Sequence, residues 1–489
     1  MARLLFIVKD VYRVERQGVQ ILSSVVKKNG HKCSAIVGRG QTYAKLFTLI
    51  KNFKPDFIGY SAMTSEEDFC LELNSRLKKE LNYISIFGGP HFTFFPEEIN
   101  NPDIDFICRG EGEGAITEVL NVFDRGESLE KIKNLTFKKN GNIINNPLRP
   151  LILDLDAIPF VDREIFKEKI VDIKSGHLRA VFCGRGCPFN CSYCFNHQYH
   201  KMYQELGKTL RWRTPNNIIT ELKYLKNDLN TQFIHFCDDT LTSAPIIWLE
   251  ELMDKYKQYI KLPFLCLTRP DLITEEKIRL LSNAGFHSVM VGIECADEVV
   301  SKIILKRGDI VNQDIKNAIA LFHKYKIKIH TENMIGLPVR KPLIDAFKTI
   351  ALNIECKPTY AHFSILYPYP GTEIKKYCIE KGFLKDGRSI KSITSKSRTT
   401  LDFSPDLARK ISNLHKLAGI TVRFPVIMPL TKLLIKFPYN RVYEYIFYLV
   451  LAYNWGRYIF NYPINFQLII KGIREVKNYL KNDWCLQYR

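Results

Sequence analysis

The chain has 489 residues, too many for one compact core at roughly 150 residues per domain, and its 46% hydrophobic content, without low-complexity tracts or internal repeats, excludes a disordered or solenoid architecture. Its formal charge of +20 comes from lysines scattered as isolated pairs, which reads as lysine-biased composition rather than as a nucleic-acid footprint. Thirteen cysteines, an odd number spread over a chain whose opening apolar run stops after five residues at Lys9, speak against a disulfide framework and a signal peptide, and so for reduced thiols in the cytoplasm.

From Arg3, short apolar runs alternate with helix-length amphipathic segments: "RLLFIV", "KCSAIVG", "FIGYSAM", "ISIFGG" and "FICRGE" are the expected strands. This rhythm predicts an α/β domain over residues 1–140, a doubly wound parallel sheet of Rossmann-like type. Ligands of such sheets bind at the carboxyl ends of the strands. Small and hydroxyl residues stand there: Ser61 and Thr64 in "SAMTS", Gly88 and Gly89 in "GGPH", Arg109 and Gly110 in "RGEGEG". Glycine removes the Cβ that would hold a large flat ligand away from the backbone.

Over about Leu4 to Asp124 this combination resembles the cobalamin-binding domain found ahead of one branch of radical S-adenosylmethionine (SAM) enzymes, notably in "FGGPHFTFFPEE" and "DFICRGEGEGAI". The resemblance implies a cobalamin held by Ser61, Thr64, Gly88, Gly89, Arg109 and Gly110. One departure concerns the first loop, "DVYRVERQG", which lacks the histidine of the broader family's Asp-x-His-x-x-Gly motif, so the implied ligation is His-off. A sheet domain that binds nothing is the competing reading, and His91 reads as a turn-capping residue before a cobalt neighbour.

After a linker at 141–174, "CGRGCPFNCSYCFN" sets four cysteines in fourteen residues behind the expected strand "RAVFCG". Thiolates on one Gly/Pro/Asn-rich loop select zinc or an iron-sulfur cluster. Cys183, His197 and His200 do not complete a zinc pattern with Cys187, Cys191 and Cys194. The Cys187-x3-Cys191-x2-Cys194 spacing, with Tyr193 before the last cysteine, resembles the radical SAM signature. That resemblance implies a [4Fe-4S] cluster on these three cysteines, with its fourth iron open to SAM. Cys183 is expected to be a buried strand residue.

Downstream, "FIHFCDD", "PFLCLTR", "SVMVGIE", "IHTENMIG" and "YAHFSILYPYP" read as strands between helices such as "TPNNIITELKYLKN" and "TEEKIRLLSNAG". With the cysteine strand they make six βα units over 175–390, which resembles the partial (β/α)6 TIM barrel of radical SAM enzymes. Polar residues at the strand ends mark the active-site rim of a barrel. By resemblance, Asp238 and Asp239 lie where the SAM amino group is bound, Arg269 and Glu294 face its ribose and carboxylate, Gly336 in "MIGLP" flanks the adenine, and Tyr193 is a SAM neighbour. Asp238, Asp239 and Glu294 are the expected catalytic acids, with capping or ion pairing the competing role for each. His197 and His200 have either a proton-transfer or a capping role, and His330 to Asn333 form another polar strand end.

Residues 391–489 read as an α-helical region around the aromatic "FPYNRVYEYIFYLVLAYNWGRYIFNYP". Its uncharged run is too short to span a bilayer. A cap packing on the barrel is favoured over a membrane-interface segment, although nine Lys or Arg against two Glu between Arg423 and Asn482 suit peripheral membrane contact.

The combined resemblance implies reductive cleavage of SAM to a 5′-deoxyadenosyl radical, fed by an external electron donor of flavodoxin or ferredoxin type. The leading expectation is C-methylation of an unactivated carbon in a small-molecule substrate of natural-product, lipid or cofactor-like type. A cobalamin-dependent radical cyclase or rearrangement enzyme is the alternative within enzymes. A non-catalytic membrane-surface or nucleic-acid binding protein on the same scaffold would be expected to have lost Cys187, Cys191 or Cys194. A tRNA methylthiotransferase would need three further cluster cysteines at strand ends of the first domain, where Cys108 is the one candidate beside Cys33 and Cys70.

Overall fold

The apolar run Leu4 to Val8 lies buried within the first sheet in the computed structural model, which describes residues 1–11, 15–166, 177–385, 398–438 and 441–462. The chain divides into two compact units, the first comprising Met1–Ser175 with Lys201–Thr209 and the second beginning at Gly176.

In the first unit, β1 (Arg3–Val8), β2 (Lys32–Val37), β3 (Phe57–Ser61), β4 (Ile84–Gly88) and β5 (Phe106–Cys108) form a parallel sheet in the order β2-β1-β3-β4-β5. Both faces are covered, as the unbroken hydrophobicity of β1 requires: Leu4, Phe6 and Val8 pack into one core, Leu5 and Ile7 into the other. Each such side chain contributes roughly 1.5–3 kcal/mol by burial, so the two apolar layers hold the unit together. The strand order reverses between β1 and β3, which opens a crevice at their carboxyl ends.

An antiparallel hairpin, β6 (Leu135–Lys139) and β7 (Asn142–Asn145), extends the sheet beyond β5. The sheet therefore continues past the expected boundary at 140 into the segment read as a linker. Asn140 and Gly141 have φ of 51° and 79°, the left-handed pair that a two-residue hairpin turn demands.

In the second unit, β8 (Leu178–Val181), β11 (Phe233–Phe236), β12 (Phe264–Thr268), β13 (Phe286–Glu294), β14 (Lys328–Ile335) and β15 (Tyr360–Ile365) pair in parallel, in sequence order, as an open six-stranded barrel wall. Between β8 and β11, a short ribbon of β9 (Gly184–Arg185) and β10 (Arg211–Trp212) pins the two ends of the excursion that carries the cysteines. The connecting helices start where their sequences say. Thr214 and Thr274 cap Pro215–Asn227 and Glu275–Ala284, each accepting a backbone N–H with its side chain, and Gly285 ends the second in the left-handed conformation. Their apolar faces bury Ile218, Leu222, Ile278 and Leu281 against the outside of the wall.

The helical C-terminal region belongs to this second unit. Helix Pro405–Arg423 lies against β15 so closely that a Cβ on Gly419 would meet the Ala361 carbonyl at 2.9 Å. Helix Arg441–Asn454 leads into a π-turn at Trp455–Ile459 that plugs the amino-terminal end of the barrel. There Ser288 donates to the Ile459 carbonyl (2.6 Å), Trp455 Nε1 donates to His330 Nδ1 (3.2 Å), and Ile459 is buried with Phe233 and Leu265. The aromatic segment thus packs as a cap. The expected last helix, "YPINFQLIIKGIREVKNYLKN", falls outside the described residues apart from its first residue, Tyr462. Among the described residues, no helix is long and apolar enough to cross a membrane.

Gly89 tests the first sheet. Its φ is +87° and a Cβ would sit 2.8 Å from both the Ala62 amide nitrogen and its carbonyl oxygen, whereas Gly18, inside helix Gln17–Lys28, has open space. Gly89→Ala is expected to lower stability by about 1–3 kcal/mol, and Gly18→Ala to leave it equal or raise it slightly, read as shifts of the denaturant midpoint.

Candidate active site

The cysteine loop is delivered by one buried carboxylate. Just beyond β11, Asp238 accepts the backbone N–H of Cys183 (2.9 Å) and of Gly184 (2.7 Å). Burial pushes its carboxyl up to about 7, and these backbone bonds pull it back. Both of its oxygens accept from the backbone at the start of the cysteine excursion, so Asp238 positions the strand end. Gly184 is required there, since a Cβ would lie 2.5 Å from the Arg211 carbonyl. Cys183 is fully buried among Val181, Ile218 and Leu222.

Cys187, Cys191 and Cys194 follow on a loop fastened at its middle. Ser192 donates its N–H to the Leu305 carbonyl (3.0 Å) and its hydroxyl to that of Ile304 (2.6 Å), and its own carbonyl accepts the Ile374 N–H (2.9 Å). His197 is buried, with Nδ1 hydrogen-bonded to the Cys194 carbonyl and Nε2 accepting the Glu373 N–H (3.3 Å), so it fastens the loop. His200 Nδ1 meets Asn190 Oδ1 at 2.8 Å. Burial pushes the Cys187 thiol up to about 12 and the Cys194 thiol up to about 11, each raised further by the charges of its neighbours, including Cys191. Positive charge at this point is what would ionise them. Among the described residues, the three groups whose ligating atoms all lie within 4.8 Å are His330, Glu332 and His362, not the cysteines. Three thiols on one loop are the soft donor set that takes zinc or an iron-sulfur cluster.

Around this loop, the barrel mouth gathers charge. Arg269, at the end of β12, donates to Cys191 Sγ (3.5 Å), grips Asp271 with two nitrogens at 3.0 Å, and stacks on Phe189 with its guanidinium carbon 3.5 Å from the ring centre. Glu294, the last residue of β13, has φ +66°, a left-handed conformation uncommon for a residue with a side chain, and the β13–β14 register shifts beside it. A Cβ at Gly292 would touch the Glu294 carboxylate at 2.8 Å, so the glycine makes room for it. Burial pushes the Glu294 carboxyl up to about 7 against the pull of Arg307, while a hydrogen bond ties it to Tyr193. Asp239 is exposed at the mouth and accepts from Asn196 (3.1 Å), with a carboxyl raised by desolvation. Gly336, one residue past β14, has φ +68° and lies against Ile411 and Ile365. Tyr193, Glu294 and the cysteine loop are therefore brought together, and Arg269 joins them through Cys191.

Two features escaped sequence reasoning. Arg307, buried in a loop, donates to the carbonyls of Gly292 (2.7 Å) and Ile293 and holds the strand end that carries Glu294. Nothing in "LKRGDI" announces it. The second is a chain of hydrogen bonds across β14 and β15. His330 to Asn333 lie within β14 rather than at its end, because the strand runs on to Ile335. Glu332 is bridged by His330 Nε2 and His362 Nδ1, both at 2.8 Å. Burial raises its carboxyl, but the two imidazoles outweigh that and hold it well below the usual carboxylate range. The spacing resembles a metal triad. However, Trp455 donates to His330 Nδ1, so a neutral His330 carries its proton on Nε2, the nitrogen a metal would need. The i, i+2 placement of His330 and Glu332 on one strand face was the available signal.

In the first unit, Ser61 ends β3 and Thr64 follows it, and Gly88 ends β4 and Gly89 follows it. Thr64 Oγ1 meets His91 Nδ1 (3.3 Å), and His91 is buried with its Nε2 unpartnered. Gly110, with φ +75°, admits the buried Tyr203, whose oxygen would lie 1.7 Å from a Cβ at that position. Arg109 turns to the Asn146 carbonyl (2.6 Å). The loop after β1 is tied to the loop after β3 by Arg16, which pairs with Glu66 and donates to the Asp10 carbonyl (2.8 Å). The space beside Gly89 and Gly110 is thus taken by the chain's own Ala62 and Tyr203, which leaves Ser61, Thr64 and Gly88 as the small residues at these strand ends. The position of the missing histidine, Tyr12, lies outside the described residues.

Two outcomes follow from this geometry. Cys187→Ala, Cys191→Ala and Cys194→Ala are each expected to abolish reconstituted iron, while Cys183→Ala keeps it and loses about 1–2 kcal/mol of stability, read by iron analysis and denaturant unfolding. His91, pushed down to about 4 by burial, is neutral in the fold but takes a proton in the unfolded chain below about 6.5. Its contribution is present above pH 6.5 and lost as pH falls toward 4, by on the order of 3 kcal/mol. The difference in pH slope of unfolding between the wild type and His91→Asn measures it.

Comparison with known proteins agrees with both halves. The B12 binding domain model matches residues 4–120 and the Radical SAM superfamily model residues 181–342. An uncharacterised methyltransferase of Pyrococcus horikoshii is 28% identical over 374 residues, covering 75% of this chain and 79% of its own. The anaerobic magnesium-protoporphyrin IX monomethyl ester cyclase of Synechocystis is 28% identical over 278 residues, covering 55% of this chain and 53% of its own. The cobalamin-dependent SAM radical enzyme OxsB, solved with aqua-cobalamin and SAM, superposes with a TM-score of 0.68 at 14% identity, covering 99% of this chain and 79% of that one, and so shares the fold. The two domains imply a [4Fe-4S] cluster, SAM and cobalamin as cofactors. With its three-cysteine loop on an open six-stranded barrel wall and a parallel sheet ahead of it in sequence, the chain carries a B12 binding domain followed by a radical SAM domain.

Proposed function

We propose that this protein is a cobalamin-dependent radical SAM enzyme that transfers a methyl group to an unactivated carbon of a small-molecule substrate. The observation that carries the reading is the meeting of the cysteine loop with Tyr193 and the left-handed Glu294 at the open mouth of the barrel, in a chain that also has the switch-point sheet. An unactivated carbon has no useful acidity, so the raised carboxyls of Glu294 and Asp239 are not bases for it. When bound, the cluster and SAM supply hydrogen-atom abstraction from such a carbon, and cobalamin supplies the methyl group.

The chain's own residues hold and orient. Cys187, Cys191 and Cys194 are the cluster ligands, with the Arg269 guanidinium beside Cys191 balancing thiolate charge. Glu294, held by Tyr193, is the ribose contact of SAM, Asp239 faces its amino group, and Gly336 opens the wall for the adenine. Ser61, Thr64, Gly88, Gly89, Arg109 and Gly110 form the cobalamin rim, without a histidine to cobalt. The electron arrives from an external flavodoxin- or ferredoxin-type donor. The methyltransferase relative is spanned over 79% of its length and the cyclase over little more than half, which favours methyl transfer over ring formation.

Protein reconstituted anaerobically with iron, sulfide and hydroxocobalamin is expected to form 5′-deoxyadenosine from SAM, and, in an extract of its own cells, to move label from methyl-labelled SAM into a small molecule. Glu294→Gln should reduce deoxyadenosine formation by at least about tenfold with iron content unchanged. Deoxyadenosine without any labelled product would favour the cyclase reading; neither product would sink both.

A further inference from the structure

The C-terminal helices bury one side and leave another bare. On the segment ending the first of them, Val426, Leu430, Leu433 and Phe437 are each at least half exposed. On helix Arg441–Asn454, Val442, Tyr445, Leu449 and Tyr453 recur at spacings of three and four and are 40–54% exposed. That spacing is one face of a helix, opposite the side on which Phe447 packs against His415 and Tyr443 is buried. Eight large apolar side chains on two adjacent segments exceed the scattered single exposures normal for a protein surface.

The surroundings of these stripes are basic. Exposed Arg423, Lys432, Lys436 and Arg457 accompany them, and Glu444 is the one acidic residue in positions 407–462. Aromatic and aliphatic side chains ringed by Lys and Arg are the composition of a surface that enters the headgroup layer of a membrane. A second copy of the chain would bring the same cations against themselves. The sequence that follows, with Lys471, Arg474, Lys477 and Lys481 against Glu475 and Asp483, is basic as well and offers no charge complement.

We propose that these two segments form a docking face for an anionic lipid bilayer, on which the enzyme sits without crossing it. Each Lys or Arg close to such a surface adds roughly fivefold in affinity, and the apolar stripes add a part that salt does not screen.

The full-length, cluster-loaded protein, sedimented with vesicles of phosphatidylcholine alone and of phosphatidylcholine mixed with phosphatidylglycerol, tests this. Binding is expected to the mixed vesicles, weakening by about tenfold from low to high salt. Leu430→Glu with Leu449→Glu, and separately Lys432→Glu with Lys436→Glu, should each reduce binding at least about tenfold while iron content stays at the wild-type value. The second pair changes surface charge only and guards against a folding defect. Absence of wild-type binding to mixed vesicles overturns the proposal, as does undiminished binding by both variants. A dimer dispersed by Leu430→Glu with Leu449→Glu would assign the face to a second copy instead.

Discussion

The hydrogen bonds from Cys183 and Gly184 to Asp238 fix where the chemistry can happen. The cysteine loop leaves the barrel wall directly after β8, and the sheet at its base is only the two-residue ribbon of β9 with β10. A buried carboxylate from the next strand accepting two backbone N–H groups gives it an origin. Bonds to a charged acceptor are worth about 1.5–3 kcal/mol each, enough to offset much of the several kcal/mol that burying the carboxylate costs. The net contribution to stability is small. What the arrangement secures is position, since a carboxylate elsewhere would leave two buried N–H groups unpaired, and a side chain on Gly184 would push β9 off β10.

A similar exchange is visible at Glu294. A left-handed strand-terminal glutamate costs on the order of 1–3 kcal/mol, and a neighbouring glycine gives up its own packing to make room for the carboxylate. Arg307 compensates by occupying the carbonyls of Gly292 and Ile293 and by setting its charge near the acid. Strain of this kind persists where the surroundings over-determine a conformation. Here they do so at the carboxyl end of a central barrel strand, beside the cysteine loop.

The regular architecture was legible because both sheets obey one rule each. Five apolar runs, buried on both faces, gave the parallel core of the first unit, and six βα units gave the barrel wall in sequence order. The hairpin of β6 and β7 was also written in the chain, in Asn140-Gly141 between two β-prone runs, but "LTFKK" and "NIIN" are short and half polar and so resemble a linker. The site divides differently. Cys187, Cys191 and Cys194 are readable because their spacing is local. The hydrogen-bond partners of Asp238, 54 and 55 residues away, were not foreseeable, so its part in positioning the strand end was not read from the sequence. Arg307 could not be found at all, since its targets are backbone carbonyls that no side-chain pattern encodes.

The C-terminal plug connects these observations. Trp455 does not merely fill the barrel end: its indole N–H decides the tautomer of His330, and His330 in turn donates to Glu332. With His362 bonded to the other oxygen, the carboxylate is oriented by two imidazoles, one of which is set by a residue 125 positions further along the chain. The side chain of Glu332 keeps 35% of its surface accessible while both oxygens are held. Its charge also acts on Glu294, raising that carboxyl. The C-terminal segment therefore reaches, through two hydrogen bonds and one electrostatic step, the carboxylate beside the cysteine loop. Replacing the plug by any apolar filler of equal volume would preserve the packing and lose this ordering of protons.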